Sequence, residues 1–355
     1  MGITKDHKVA HLIESELFQT FNRCRDLQSK IEKSEIQNIP TMLLPTFSDI
    51  QAAHKLIKPY IHRTPVLTSQ SINALMGCEL FFKCENFQKV GAFKFRGATN
   101  AVFSLSEEEA ASGVGTHSSG NHAAALALAA RMRGIRAHIV MPSNAPAVKK
   151  IAVAGYGAHI TFCEPTLQAR EETLKNLAEN LGLTIVHPYN NFKVICGQGT
   201  AALELHEEIN GLEVVLCPVG GGGLLSGTAL TTKSLKPGCK VIAAEPKGAN
   251  DAFRSFRDGY IHPSVHPQTI ADGLLTSLGE LTFAVIRQNV DEILTASEES
   301  IVAAMRMVWE RMKIIIEPSS TLPLAVIMEN KEKFTGQKIG IILSGGNVEL
   351  TKLPF

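Results

Sequence analysis

The chain has 355 residues, a formal net charge of +1 at pH 7 and 45% hydrophobic residues, which is typical of a globular protein with one large or two medium domains. The near-neutral charge favours neither a nucleic-acid partner nor an acidic membrane surface. No apolar run approaches the length of a membrane span. The cysteines are odd in number and scattered, often within apolar strands, which favours reduced thiols and a cytoplasmic location over a disulfide framework.

Residues 1–43 have a pattern of their own. Apolar residues recur there at helical spacing between charged ones, which predicts an N-terminal extension that is either an amphipathic helix, suited to an oligomer contact, or partly disordered. These apolar residues are Leu12, Ile13, Leu17, Phe18 and Phe21. The segment lacks the apolar core of a secretory signal, and its acidic residues argue against a transit peptide. The helix-capping signal Thr46-Phe47-Ser48-Asp49 marks the start of the main body.

Through the main body, strand and helix patterns alternate. Such alternation predicts an α/β fold in which mostly parallel sheets are covered by helices. The predicted strands are 80–85, 114–117, 137–141, 159–163, 183–187, 214–219 and 340–343. The predicted helices are 121–133, 145–154, 170–181 and 199–209.

A lysine, Lys94, stands among small and aromatic residues in the run Gly91-Ala92-Phe93-Lys94-Phe95-Arg96-Gly97-Ala98. Considered alone, it is more typical of a solvated surface lysine. In an apolar pocket, however, a lysine amine loses its proton readily and can form a Schiff base with an aldehyde cofactor.

Two glycine-rich turns offer partners for such a cofactor. The strand 214–219 leads into Gly220-Gly221-Gly222-Gly223 and then a helix, where bare backbone N–H groups can bind a phosphate. A flexible linker would not have these apolar flanks, and the spacing fits a dinucleotide site poorly. The second turn, Ser344-Gly345-Gly346-Asn347, follows a strand and places a hydroxyl where it can bond a ring nitrogen, although an ordinary strand-to-loop turn has the same pattern.

Together with Ser118-Ser119-Gly120-Asn121-His122, these motifs resemble those of the fold-type II enzymes that use pyridoxal 5′-phosphate. Within that group the chain is similar to the family of serine racemases and serine, threonine and hydroxyaspartate dehydratases. The similarity extends from about residue 45 to residue 350, and it is most specific in 116–122 and 308–313.

The resemblance implies a two-lobed, tryptophan synthase β-like fold with the active site in the cleft between the lobes. Residues 44–110 and 190–355 would form a large cofactor domain, and residues 111–189 a small mobile domain. The resemblance also implies a homodimer, because members of the family commonly form homodimers.

The resemblance also implies roles for single residues at the cofactor. Lys94 would hold it covalently and act as acid and base on one face of the substrate Cα. Phe93 would stack near the ring, Asn121 would bond its phenolic oxygen, and Gly220, Gly221, Gly222 and Gly223 would hold the phosphate. Ser344 would face the pyridine nitrogen. Because a neutral serine does not keep that nitrogen protonated, the ring would be a weaker electron sink, which favours elimination or short-lived carbanions over transamination.

Ser119 would be the second acid and base, on the face opposite Lys94. Racemisation needs both faces, whereas a dehydratase needs only Lys94, and some related dehydratases carry alanine at this position. A serine that only caps the following helix is the alternative interpretation. The residues implied in substrate binding are Ser118, Ser119, Asn121, His122, Arg170 and His187.

Two further sites follow from the resemblance. Glu245, the Ala249 carbonyl and Asp251 would bind Mg²⁺ or Ca²⁺, hard ions that prefer oxygen ligands. Without the family these acids would be interpreted as solvated loop residues. A nucleotide site for ATP as an effector is matched only in part. The matching residues are Lys89, Tyr156, Lys313 and Asn347, whereas Gln70, Ser71 and Ala124 differ from the pattern.

The implied activity is racemisation of serine, with elimination of water from serine to give pyruvate and ammonia. The alternative is a dehydratase for threonine or threo-3-hydroxyaspartate, and Tyr189 in Pro188-Tyr189-Asn190-Asn191 is more like the dehydratases. The segment lacks the serine run of animal aspartate racemases. A non-catalytic amino-acid sensor is a third hypothesis, against which the intact Lys94 speaks.

Overall fold

The computed structural model describes residues 42–118, 120–145 and 147–355. The helix predicted around residues 12–21 and the candidate Ser119 lie outside the described residues. Leu44–Phe355 form one compact unit. Within the described part of the chain, no helix combines the length and the apolar character needed to cross a membrane.

The strands of the described residues form two sheets. They are β1 (Val66–Leu67), β2 (Glu79–Cys84), β3 (Val114–His117), β4 (Ala137–Pro142), β5 (His159–Cys163), β6 (Thr184–Ile185), β7 (Val214–Pro218), β8 (Lys240–Pro246), β9 (Glu292–Ala296) and β10 (Lys338–Leu343).

The α-helices alternate with these strands. They are α1 (Phe47–Ile57), α2 (Gln70–Met76), α3 (Lys94–Phe103), α4 (Glu107–Ala111), α5 (Asn121–Arg133), α6 (Ala147–Gly155), α7 (Leu167–Leu181), α8 (Phe192–Glu208), α9 (Gly223–Leu235), α10 (Asp251–Asp258), α11 (Glu280–Asn289), α12 (Glu298–Met312), α13 (Pro318–Glu329) and α14 (Lys331–Phe334). Short 3₁₀ turns are found at Glu85–Phe87, Lys89–Gly91, Lys247–Ala249, Asp272–Leu274 and Leu350–Lys352.

The six-stranded sheet has the order β1-β2-β10-β7-β8-β9. β1 runs antiparallel to β2, and every other neighbouring pair is parallel. Leu343 pairs with Cys84, and Ile341 pairs with Leu216, so the carboxyl ends of β2, β10 and β7 meet at one edge. Open α/β sheets bind ligands at this edge, and the segments that carry Lys94, Ser344 and the glycine turn all follow these strands.

The four-stranded sheet has the order β5-β4-β3-β6 and is parallel throughout. Its strands all lie between residues 114 and 185. The predicted α/β class with mostly parallel sheets is therefore confirmed. The division into a large domain and a small mobile domain stays a prediction.

Several elements differ from their predicted bounds by a few residues; α7, for example, begins at Leu167 rather than at 170. α8 begins at Phe192 rather than at 199, because the side chain of Asn191 accepts a hydrogen bond from Val194 N at 3.0 Å and caps the helix. β6 is shorter than predicted, since only Thr184 and Ile185 pair as a strand with β3.

Candidate active site

Lys94 is the first residue of α3, at the carboxyl edge of the six-stranded sheet. The residue before it, Phe93, donates its backbone N–H to Ser344 O at 2.9 Å, so the lysine and the end of β10 lie next to each other. The amine of Lys94 donates to Pro188 O at 2.9 Å and lies 5.1 Å from the centroid of the Phe93 ring. The predicted cofactor residues Phe93, Lys94 and Ser344 are thus brought together.

Burial lowers the pKa of the Lys94 amine from 10.5 to about 8, and the charge of Glu317 opposes this change. A low-dielectric setting disfavours the charged ammonium form. Roughly one amine in ten is therefore neutral at pH 7, far more than for an ordinary lysine, and the neutral amine is the form that attacks an aldehyde.

A buried ion cluster anchors the first turn of α3. Arg96, two residues after Lys94, has no exposed side-chain surface and contacts Glu85 at 2.7 Å and Glu204 at 2.7 Å. Lys83 on β2 contacts the same Glu204 carboxylate at 2.6 Å. Removing one member would leave a buried charge without its partner, which is strongly destabilising. The cluster thus fixes the helix that carries Lys94.

The glycine turn Gly220–Gly223 is buried between β7 and α9. Among the described residues, none of its four N–H groups has a hydrogen-bond acceptor. Gly222 has a φ of +87°, and a Cβ on it would lie 2.9 Å from the side chains of Ile286, Leu278 and Thr282. Unpaired buried N–H groups are rare, and their convergence at the start of a helix fits an anionic phosphate.

Ser344 lies at the end of β10 and is 3% exposed. Its Oγ is 3.1 Å from Ser320 Oγ, and Ser320 Oγ also accepts from Gly345 N at 2.7 Å. A hydroxyl held in this way is a fixed, uncharged hydrogen-bonding group at the edge where the cofactor residues meet.

Asn121, the first residue of α5, is held by two residues from the C-terminal part of the chain. Its Nδ2 donates to the carboxylate of Glu317 at 3.0 and 3.2 Å, and its Oδ1 accepts from Asn347 Nδ2 at 2.9 Å. Asn347 N also donates to Glu317, at 3.2 Å. The network fixes the orientation of the asparagine predicted to bond the cofactor ring.

Glu317 is a site residue that the sequence patterns did not identify. It is 4% exposed, and burial, followed by the charge of Asp272, raises its pKa from 4.5 to about 7, while Asn121 and Asn347 oppose the change. A displaced carboxyl pKa in a cleft is a signal of a functional site, but it depends on burial, which no local motif of the sequence encodes.

Three imidazoles lie in the electrostatic range of one another near Lys94. Burial lowers the pKa of His117 and of His187 to about 4 and that of His122 well below 6.5, so all three are neutral at pH 7. His122 Nε2 pairs with Val186 O at 3.2 Å. The predicted substrate residues His122 and His187 therefore share this region, and His117 is an addition that sequence reasoning missed.

Arg170 lies near the start of α7, where its Nε donates to Thr166 O at 3.3 Å. Its positive charge contributes to the low pKa of His117, which places it within electrostatic range of the imidazoles. Ser118 follows β3, and its Oγ accepts from Gly120 N at 3.3 Å.

The candidate metal loop joins β8 to α10. Both Glu245 and Asp251 are 1% exposed, and Ala249 is 4% exposed. The Glu245 carboxylate accepts from Ala252 N and Phe253 N, each at 2.8 Å, while Asp251 Oδ2 is buried without a partner in the described structure. Burial raises the pKa of Glu245 to about 8 and that of Asp251 to about 6. Two buried carboxylates with an unpaired oxygen are a donor set that fits a hard cation.

No group of three or more His, Cys, Asp and Glu side chains suited to a metal occurs among the described residues. The candidate loop offers two carboxylates and a backbone carbonyl instead.

Two of the four candidate nucleotide residues, Lys89 and Asn347, belong to neighbouring segments, and the nucleotide site stays a prediction. Lys89 belongs to the turn Lys89–Gly91, and Asn347 Nδ2 donates to Val90 O within that turn at 2.7 Å.

A sequence model of the pyridoxal-phosphate dependent enzymes matches residues 57–345. The chain belongs to this family. Two relatives are each 54% identical to it. One is the β-hydroxyaspartate dehydratase of Paracoccus denitrificans (strain Pd 1222), which aligns over 88% of this chain and 100% of its own length. The other is the serine racemase of Dictyostelium discoideum, which aligns over 88% of this chain and 98% of its own length.

The solved structures agree with this family assignment. The crystal structure of serine racemase from Dictyostelium discoideum superposes with a TM-score of 0.83 at 55% identity and covers 86% of this chain and 99% of that chain. Relatives of equal identity thus carry both racemase and dehydratase names.

The cofactor of the family is pyridoxal phosphate, and the residues present fit it. The Lys94 amine has a lowered pKa, the N–H groups of Gly220–Gly223 lack acceptors within the described residues, and Ser344 lies beside Phe93. The amine suits the aldehyde of the cofactor, the N–H groups suit its phosphate, and the serine hydroxyl suits its ring nitrogen.

Proposed function

We propose that this chain is a serine racemase that also eliminates water from serine to give pyruvate and ammonia. The observation that carries the proposal is the position of the Lys94 amine, which has a pKa of about 8, at the same sheet edge as the glycine turn and Ser344. The serine racemase of Dictyostelium discoideum, 54% identical over 88% of this chain, supports it.

Each residue has a defined part in the proposed mechanism. The N–H groups of Gly220–Gly223 would bind the phosphate, Ser344 would bond the ring nitrogen, and Asn121, oriented by Glu317, would bond the phenolic oxygen. Pyridoxal phosphate, when bound, supplies an electron sink that stabilises negative charge at the substrate Cα. Lys94 takes or returns the Cα proton on one face, and a pKa near the working pH suits both directions.

Ser119 serves the other face in this mechanism. With both residues active, the proton removed from one face is replaced on the other and the product is the enantiomer. With Lys94 alone, the Cα proton can return only to the face it left, so the productive outcome would be loss of the β-hydroxyl as water, which takes up the proton that Lys94 removed. The balance between the two reactions therefore depends on Ser119.

The second candidate is a dehydratase for threo-3-hydroxyaspartate or threonine. The β-hydroxyaspartate dehydratase of Paracoccus denitrificans is as similar to this chain as the racemase is. Arg170 and the neutral imidazoles of His117 and His187 offer a cation and N–H donors that suit a second carboxylate of the substrate.

The proposal also includes a metal ion, an effector, a domain motion, an oligomeric state and a location in the cell. Mg²⁺ or Ca²⁺ binds at Glu245, Ala249 and Asp251. ATP is an effector at Lys89, Tyr156, Lys313 and Asn347. The small domain, 111–189, moves during the catalytic cycle, and two copies of the chain form a homodimer. The six cysteines of the described residues are free thiols, which supports a reducing, cytoplasmic location.

Chiral product analysis tests the function. Holoenzyme is incubated separately with L-serine, L-threonine and L-threo-3-hydroxyaspartate, and the enantiomers and 2-oxo acids are quantified. The proposal expects D-serine and pyruvate from L-serine. A 2-oxo acid from hydroxyaspartate or threonine, with no D-serine, selects the second candidate. Binding without turnover of any of the three supports the sensor hypothesis and overturns both enzyme hypotheses.

A further inference from the structure

The ring of Tyr189 lies directly against the backbone of Gly221. A Cβ added to Gly221 would be 2.3, 2.4 and 2.5 Å from Cγ, Cδ1 and Cδ2 of that ring. These separations are far shorter than carbon–carbon contact at about 3.5–4.0 Å. The space that a side chain at position 221 would need is therefore filled by the tyrosine ring.

Tyr189 is fixed in this position from several sides. Its backbone N–H donates to His187 Nδ1 at 3.3 Å, as does Asn190 N at 2.9 Å. Its ring meets the His187 ring edge-on, with centroids 4.5 Å apart. Burial of the ring raises the pKa of its hydroxyl, and the nearby side chain of Thr276 partly opposes this change. The ring is thus held through its own backbone and by the edge-on contact with His187.

The opposite side of Gly221 is held as well. Thr282 Oγ1 donates to Gly221 O at 2.9 Å. Asn190, next to Tyr189, accepts from Leu281 N through its side chain at 3.0 Å. The glycine turn is consequently enclosed between the segment that follows β6 and the first turn of α11.

Such an enclosure has a physical purpose in a phosphate-binding loop. Four adjacent buried N–H groups without acceptors repel one another, and an unconstrained backbone would rotate them toward water or toward other acceptors. A fixed ring against the backbone prevents this rotation, so the loop is preorganised before the anion binds.

We propose that Tyr189 is a positioning residue for the glycine loop, whose ring against Gly221 holds the N–H groups of Gly220–Gly223 in the orientation that binds the phosphate of pyridoxal phosphate. This inference rests on the proposed role of the loop. It assigns Tyr189 to the retention of the cofactor rather than to the chemical step.

Cofactor retention in Tyr189 variants is the first test. Holoenzyme is dialysed, and the visible absorbance of the bound cofactor is followed, together with the PLP concentration that half-saturates the stripped protein. Tyr189→Ala raises that concentration about tenfold or more. Tyr189→Phe keeps the ring and stays within about fivefold of wild type, because a neutral hydrogen bond contributes only about 1 kcal/mol. Turnover per bound cofactor at saturating PLP changes much less than retention does.

A pair of glycine substitutions makes the test specific. Gly221→Ala weakens PLP binding strongly, because its Cβ overlaps the ring, and Tyr189→Ala in the same chain restores part of the loss. Gly223 supplies the matched control. A Cβ there would meet Cβ, Cα and O of Tyr189 at 3.0–3.2 Å, atoms that an alanine retains. Tyr189→Ala therefore does not rescue Gly223→Ala.

The outcomes separate this inference from the proposed function. If wild type retains no PLP, the proposed function fails and the inference with it. If wild type retains PLP and Tyr189→Ala retains it equally well, only the inference is overturned. Equal losses in Tyr189→Phe and Tyr189→Ala, or rescue of both glycine variants, also overturn it. Melting curves of each variant identify any loss of PLP retention that comes from unfolding. Tyr260→Ala, which removes an exposed tyrosine, is the control variant.

Discussion

Asn121 donates its side-chain amide to both carboxylate oxygens of Glu317, at 3.0 and 3.2 Å, and so joins the start of α5 to the residue that precedes α13. The pair belongs to two distant parts of the chain and meets beside Lys94, whose pKa responds to the charge of Glu317. A carboxyl group that titrates near neutral pH thus controls the orientation of a predicted cofactor ligand.

Glu317→Gln is expected to lower turnover about 10- to 100-fold, since hydrogen bonds to charged groups contribute about 1.5–3 kcal/mol. The pKa of Glu317 is raised to about 7, so its stronger, ionised acceptor is present above that pH. Wild-type turnover should rise through about pH 7, and the variant should lack this rise. Glu310→Gln, an exposed glutamate at the end of α12, is the matched control. A pH profile of the same shape in Glu317→Gln and wild type would contradict the prediction.

Capture of the cofactor by Lys94 is expected to depend on pH. The pKa of its amine is lowered to about 8, so the neutral fraction rises roughly tenfold per pH unit below that value and levels off above it. The rate at which stripped protein gains visible absorbance with PLP should follow the same curve. Lys94→Ala should show neither absorbance nor turnover, whereas the exposed Lys175→Ala should behave as wild type. A rate that keeps rising toward pH 10 would indicate that the Lys94 amine has the pKa of an ordinary lysine and would contradict the prediction.

Removal of divalent cations is expected to lower the melting temperature and the activity, and Mg²⁺ or Ca²⁺ should restore both. Binding to the native state alone stabilises by about 2.7 kcal/mol at a hundredfold excess over Kd. Asp251→Asn should abolish the metal-dependent shift, and Asp258→Asn, at the other end of the same helix, should keep it. A melting curve of metal-free protein that neither ion changes would remove the site from the proposal.

Ser119→Ala is expected to reduce conversion of L-serine to D-serine by about 10²–10⁴-fold, the range for a positioned proton-transfer group. Pyruvate formation from L-serine should fall much less, because Lys94 can remove that proton alone. Elimination from D-serine should fall with racemisation. The measurement is the rate of racemisation and the rate of elimination from each enantiomer of serine, and comparison among these four rates serves as the control. Equal losses in all four would assign Ser119 to helix capping and favour the dehydratase.

Local chemistry in the sequence was sufficient for many elements of the fold. The Thr46 and Asp49 side chains form the expected capping box, and α5 spans the predicted residues 121–133 before Gly134 ends it in a left-handed conformation. Gly197 and Gly199 obscured the true start of α8, because glycine lowers helix propensity. In the structure, Gly197 lies against the backbone of Arg96, a contact that only the tertiary fold reveals.

In the candidate site, too, some features were predictable from the sequence and others depend on contacts in the folded chain. Lys94, the glycine turn and Ser344 each come after a predicted strand, and the rule that open α/β sheets bind ligands at the carboxyl ends of their strands was enough to expect them near one site. Glu317 and Tyr189 were not predictable in this way, since their importance depends on contacts with Asn121 and Gly221 that are remote in sequence. Their roles, like those of the other site residues, stay predictions.

The position of β10 has a consequence for how the protein is made. This strand is the last of the sheet in the chain, yet it lies between β2 and β7. A ribosome that has released everything up to residue 337 has produced two strands without the neighbour they share, and Ser344 is still to be added. The cofactor pocket can therefore assemble only after β10 and Ser344 have left the ribosome, and until then the facing edges of β2 and β7 have no strand between them to pair with.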